Sequence, residues 1–134
     1  MPIEFPLSFK QTPFGLIGDP KIPVVISTTA GDVTYRFLID TGADFSLAPR
    51  RLAQQIGLLW EVLPEARVAG IEQGGVAARL GDLPIRLQST KLIVRCLFVD
   101  SPRAPFLLGR TDFLDRFVLT IDYRQQKIVL VAIP

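Results

Sequence analysis

Asp40 closes the apolar run Phe37-Leu38-Ile39 and directly precedes Thr41 and Gly42, with Ala43 and Asp44 continuing the segment. A carboxyl at the end of a buried strand is partly desolvated, which penalises its charged form and lets it hold a proton. Gly42, with no Cβ, permits a sharp turn and close backbone approach, and the Thr41 hydroxyl both donates and accepts hydrogen bonds. Residue types in this order suit proton transfer to and from a reacting group. The residues alone leave a second reading open, because Asp before Gly often caps its own backbone in a turn. Asp-Thr-Gly also arises by chance in roughly a few per cent of chains this long.

Composition narrows the chemistry by subtraction. The 134 residues include no His, so one chain holds no Ser-His-Asp or Cys-His device and no zinc site built on imidazole. Carboxylates are the main acid/base candidates left, and no metal or other cofactor is expected. The single Cys96 lies in Leu92-Ile93-Val94-Arg95-Cys96-Leu97-Phe98-Val99 and reads as a small core residue, not a nucleophile. One cysteine makes no intrachain disulfide and excludes a disulfide scaffold.

The length corresponds to one domain, residues 1–134, able to bury a real core. Hydrophobic residues make up 49% and mean hydropathy is +0.35. That is apolar for a soluble monomer and fits a subunit that hides surface in an oligomer. No run approaches the roughly 18 apolar residues needed to cross a bilayer, and Met1-Pro2-Ile3-Glu4 does not open a signal peptide. No membrane association is expected, and the cytoplasm is the default compartment. Fifteen basic and 13 acidic residues leave a net charge of +2, spread without Lys/Arg runs or interleaved aromatics, so nucleic acid is not an expected partner.

The elements that must position Asp40 read as mostly β: short apolar segments punctuated by Gly, Pro, Asp and Ser. Residues 24–28 and 33–39 flank Ala30-Gly31-Asp32 as a hairpin whose second arm delivers Asp40. Pro49 suits the first turn of a helix in which Leu52, Ala53 and Ile56 recur at helical spacing before Gly57 stops it. Residues 68–71 and 76–80 flank Glu72-Gln73-Gly74-Gly75 as a second hairpin, either a mobile flap or an ordinary tight turn. Strands are expected at 83–87, 92–99, 118–122 and 127–133, the last pair joined by the turn 123–126. Phe106-Leu107-Leu108-Gly109-Arg110 repeats the start of Phe37-Leu38-Ile39-Asp40, with Gly109 where Asp40 stood. Thr111 is placed to cap a short helix through Arg116, with Asp112 and Asp115 set well against its dipole.

With these residues in place, the chain resembles the retropepsin family, the retroviral-type aspartic proteases. Phe37 to Asp44 resembles the family's active-site loop, Gly70 to Gly75 stands at its glycine-bearing flap, and Leu107-Leu108-Gly109-Arg110 resembles its second signature. The match covers about residues 22–133, leaving 1–21 as an N-terminal extension. The resemblance implies a closed β-barrel-like domain with a flap hairpin and one short C-terminal helix. It implies an aspartic endopeptidase that hydrolyses peptide bonds with water activated by paired Asp40 carboxylates, one from each subunit of a homodimer. No second Asp-Thr-Gly or Asp-Ser-Gly exists in the chain; Asp100-Ser101-Pro102 is the nearest approach, and its proline lacks the backbone donor.

Roles follow from the resemblance residue by residue. Asp40 alternates as general base and general acid, Thr41 bonds to the partner loop, and Gly42 offers its carbonyl to substrate backbone. Ala43 and Asp44 line the cleft, with Asp44 pairing to Arg110 either as part of substrate binding or as architecture. Gly70, Ile71, Gly74 and Gly75 close over an extended peptide, and Gly109 and Arg110 support the loop. In viral relatives the chain ends interleave into an interfacial sheet, a role for which 127–134 is apolar enough. Residues 50–67 are longer than the compact viral pattern, and Trp60 within them reads as a packed aromatic. The alternative function is a catalytically inert retropepsin-like module that binds peptides or proteins. Phosphoryl transfer at Asp40 lacks both a phosphate cradle and strand-helix alternation.

Overall fold

Period-two burial builds the strands that carry Asp40. In β4 (Lys21–Thr28) Ile22, Val24 and Ile26 are buried while Pro23 and Ser27 face out, and in β5 (Gly31–Ile39) Phe37 and Ile39 turn inward. The two pair antiparallel from Lys21↔Leu38 to Thr28↔Gly31. Gly31, at φ +111°, takes the left-handed conformation that ends the two-residue loop, and the Thr28 hydroxyl donates to its carbonyl at 2.6 Å. The computed structural model describes residues 1–68 and 76–134.

The remaining strands of the body are β6 (Ser46–Pro49), β7 (Glu65–Val68), β8 (Val76–Leu87), β9 (Thr90–Val99) and β10 (Leu107–Leu108). Their order is β4-β5-β10-β6-β9-β8, with β7 on the outer edge of β8. The pair Val25↔Arg86 joins β4 to β8, so six strands close into a barrel. Phe37, Phe98, Ile22, Ile26, Leu83, Leu87 and Leu108 fill it, all fully buried. Burying each such side chain contributes roughly 1.5–3 kcal/mol. The expected strands at 76–80 and 83–87 are one continuous strand, because Gly81 and Asp82 pair with Cys96 and Arg95 without interruption.

Helix α1 (Arg50–Gln55) starts after Pro49 and buries Leu52 and Ala53. Gly57 at φ +84° ends it, with its N–H donating to the Gln54 carbonyl. Behind it Trp60 is buried, with the guanidiniums of Arg50 and Arg79 at 4.5 and 5.4 Å from its ring centroid. No helix among the described residues is long and apolar enough to cross a membrane.

The chain ends form a separate sheet. β1 (Ile3–Pro6) and β11 (Phe117–Asp122) both pair antiparallel with β12 (Lys127–Ala132). Lys127 to Leu130 therefore have both edges filled within the chain, and these residues are not free to interleave with a partner's end as expected. Between β1 and β4 the N-terminal extension holds a hairpin, β2 (Ser8–Thr12) and β3 (Gly15–Asp19). The helical segment expected from Thr111 to Arg116 is a single 3₁₀ turn, Leu114–Arg116, and no side chain caps it. Asp112, at φ 68°, lies outside helical geometry and its carboxylate instead accepts from Arg95 Nε at 2.8 Å.

Candidate active site

The parallel pairing of β10 with β5 organises the site. Leu107↔Leu38 and Leu108↔Ile39 put Gly109 in register with Asp40, so the repeat seen in sequence is a side-by-side pair in space. The Leu38 N–H donates to Phe106 O and the Asp40 N–H to Leu108 O, each at 2.9 Å. Phe106 stacks on Tyr35 with centroids 4.8 Å apart and meets Phe37 edge-on at 5.3 Å. Such pairs contribute about 0.5–1.5 kcal/mol each beyond area burial, and here they stiffen the strand just before the carboxyl.

Gly109 has no room for a side chain. A Cβ there would lie 2.4 Å from Phe45 O, 2.5 Å from Phe45 C and 2.9 Å from Ala43 O. The loop from Asp40 to Phe45 thus lies directly on the Gly109 backbone. Its carbonyls are used as well: Arg110 N–H donates to Ala43 O at 2.9 Å and Thr111 N–H to Asp44 O at 3.0 Å. The fully buried Ser46 hydroxyl accepts from Gly109 N–H at 3.2 Å.

Asp40 itself is half-buried. Its Oδ1 accepts the Gly42 N–H at 2.9 Å, and its backbone carbonyl accepts from Ala43 N–H at 3.2 Å. The backbone-capping turn and the presented carboxyl are therefore compatible: one oxygen holds the turn, and Oδ2 has no partner among the described residues. Thr41, Gly42 and Asp44 are exposed and Ala43 is half-buried. The Arg110 guanidinium donates to Thr41 O at 2.8 Å and also pairs with the Asp44 carboxylate. Both side chains of that ion pair are largely exposed, so it contributes little to stability. Its geometric effect is to tie both halves of the loop to the turn that follows Gly109.

The structure thus brings together Asp40, Thr41, Gly42, Ala43, Asp44, Gly109 and Arg110. Gly70, Ile71, Gly74 and Gly75 lie outside the described residues. The arms on either side of them are paired, ending at Val68↔Val76. Ser46 escaped the sequence reading; its one signal is a polar residue opening the apolar run Leu47-Ala48. Concavities of about 640 Å³ beside Ile85, Arg86 and Ile93 and of about 420 Å³ beside Trp60 and Arg79 do not include the Asp40 loop. Among the described residues no three His, Cys, Asp or Glu side chains cluster as a metal site would require.

Cys96 is fully buried, and burial pushes its thiol well above the ordinary range. A thiol held neutral in the core is a packing residue, in keeping with its apolar flanks. One ion pair lies away from Asp40: the hydrogen bond from Arg95 holds the Asp112 carboxyl below the usual carboxylate range and raises the guanidinium in turn.

Comparison with solved structures places this fold. A retropepsin-like aspartic protease from Rickettsia conorii superposes with a TM-score of 0.66 at 20% identity, over 97% of this chain and 91% of that one. The retroviral protease-like domain of Ddi1 from Leishmania major superposes with a TM-score of 0.59 at 18% identity, over 87% and 94%. No curated protein matches the sequence significantly. The sequence pattern of the family described as "Aspartyl protease" matches residues 24–111, from the middle of β4 through Asp40 to the residue after Arg110. By that match and by its retropepsin-like fold, the chain belongs to the aspartyl protease family.

Proposed function

We propose that the chain is an aspartic endopeptidase that works as a homodimer, with Asp40 of each subunit facing the other across a two-fold axis. The observation that carries this reading is the state of Asp40: a half-buried carboxyl at a strand end, held through Oδ1 by Gly42 N–H, with Oδ2 unengaged among the described residues. Amide hydrolysis needs one carboxylate to take a proton from water and a second, protonated, to give one to the carbonyl oxygen. One chain supplies half of that. An isologous dimer brings the same loop twice and completes the pair.

In the proposed reaction one Asp40 removes a proton from water as it attacks the scissile carbonyl carbon. The other Asp40 protonates the developing oxyanion. Collapse of the tetrahedral intermediate returns a proton to the leaving nitrogen and breaks the C–N bond. Thr41 bonds to the partner loop, Gly42 and Ala43 present backbone to an extended peptide, and Asp44, oriented by Arg110, lines the cleft. Gly70, Ile71, Gly74 and Gly75 close over the peptide in this reading. Residues 1–134 act as one unit in this reading.

The test is cleavage of a diverse peptide library by the wild type and by Asp40→Asn, with and without a transition-state inhibitor of aspartic proteases. The variant is expected to fold and dimerise as the wild type does and to lose cleavage. Cleavage undiminished in Asp40→Asn would sink the mechanism. A stable wild-type dimer that cuts nothing at any pH would favour a peptide-binding module instead.

A further inference from the structure

The hairpin of β2 and β3 buries neither of its faces: no residue from Ser8 to Asp19 is buried. Its apolar side chains point outward, with Phe14 98% exposed, Leu16 67%, Ile17 46% and Phe9 37%. A two-stranded hairpin alone is marginal in water, yet this one is braced at both ends. At its base Ser8 Oγ donates to Asp19 O at 3.0 Å and accepts from Arg36 Nη2 at 2.9 Å. Tyr123 meets Phe9 edge-on at 6.2 Å and fills the space a side chain at Gly18 would need. At its tip the Thr12 hydroxyl donates to Gly15 O at 2.7 Å and accepts the Phe14 N–H at 3.1 Å.

Pro13 fixes its own φ within that turn, and Gly15 supplies the left-handed residue at φ +113°. Phe14 is thereby held out on a turn whose shape is set before any partner arrives, which removes much of the ordering cost of association. An exposed aromatic on such a preset turn suits an anchor at an interface.

The root of the arm adjoins the candidate active loop. Pro20 O accepts the Ile39 N–H at 2.9 Å, one residue before Asp40. Strands of five residues reach about 17 Å, so the tip stands well away from that root. Between Ser8 and Gly18 the only charged side chain is Lys10, which selects neither an acidic nor a basic partner.

We infer that this hairpin is an inter-subunit arm whose Phe14 and Leu16 dock on a second copy of the chain and are buried only in the homodimer. The inference rests on the homodimer reading of Asp40: that reading requires a second copy against residues 40–44, and the arm is rooted at that edge. It adds an element outside the span of the family match.

Sedimentation across a range of concentrations tests it with wild type, Phe14→Ser and Leu59→Ser, the last altering an exposed leucine outside the arm. Dimerisation is expected to weaken roughly a hundredfold to ten-thousandfold in Phe14→Ser, the loss of two buried aromatic anchors, one from each arm, and to stay unchanged in Leu59→Ser. A photoreactive benzoylphenylalanine at position 14 is expected to yield a covalent homodimer. A Phe14→Ser dimer as tight as the wild type, or crosslinking of position 14 to added peptide in place of a second chain, overturns the arm and leaves the Asp40 pairing standing. A wild type that stays monomeric at every concentration overturns both.

Discussion

Gly109→Ala tests whether the Asp40 loop depends on the backbone packed against it. Gly109 is not in the left-handed region, so the case for glycine is space alone. The added methyl would sit 2.4–2.9 Å from backbone atoms of Phe45 and Ala43, and no side-chain rotation relieves a clash with backbone. The loop must retreat by roughly 0.5–1 Å, an overpacking cost of about 1–3 kcal/mol. Retreat also stretches the bonds from Arg110 N–H to Ala43 O and from Thr111 N–H to Asp44 O, about 1 kcal/mol each if lost. The sum is about 3–5 kcal/mol, which in a chain of this size lowers Tm by roughly 10–20 °C. Displacing a reacting group by ångström order costs on the order of a hundredfold in turnover, so cleavage should fall further than stability. Thermal melts by circular dichroism and steady-state cleavage of a fluorogenic peptide measure the two effects. A Gly109→Ala protein melting within about 2 °C of wild type with unchanged turnover would show that the contact does not position the loop.

Two further outcomes follow from the electrostatics. Asp112, held below the ordinary carboxylate range by Arg95, stabilises the fold above that range and stops doing so as pH falls through its folded-state value. Asp112→Asn, which tolerates the φ of 68°, should melt below wild type at neutral pH and converge with it in strong acid; a gap independent of pH would refute the ion-pair account. Cys96, fully buried with its thiol pushed up, should resist a thiol reagent in the native protein and react stoichiometrically in denaturant, and rapid native labelling followed by mass spectrometry would contradict its core placement.

Much of the positioning machinery is legible locally. Alternation at Ile22, Val24 and Ile26 marks β4, and the glycine of Thr28-Thr29-Ala30-Gly31 marks its hairpin, because both signals lie within a few residues. The hairpin at 8–19 carries the same device in Thr12-Pro13-Phe14-Gly15. It is hard to read because its strands lack buried alternation, with Phe9, Leu16 and Ile17 all facing solvent. The strand break expected near Gly81 failed for a related reason: β9 pairs with every residue from Ala78 to Leu87, and that continuous ladder overrides a local turn signal. The helix after Arg110 shrank to one turn because Asp112 is claimed by Arg95, a partner 17 residues away in sequence.

By itself the sequence determined that Asp40 ends an apolar run ahead of Thr41 and Gly42, that no second such loop exists, and that Phe106 to Gly109 echoes Phe37 to Asp40. These are matters of residue type and short-range order. Only the tertiary structure decided that Gly109 lies in register beside Asp40 with no room for a side chain, that Arg110 reaches back to Thr41 and Asp44, and that β12 is already paired on both edges from Lys127 to Leu130. Strand partners are chosen by burial and hydrogen bonding summed over the whole sheet, and a strand's own pattern specifies which face is apolar without specifying which neighbour will cover its edges.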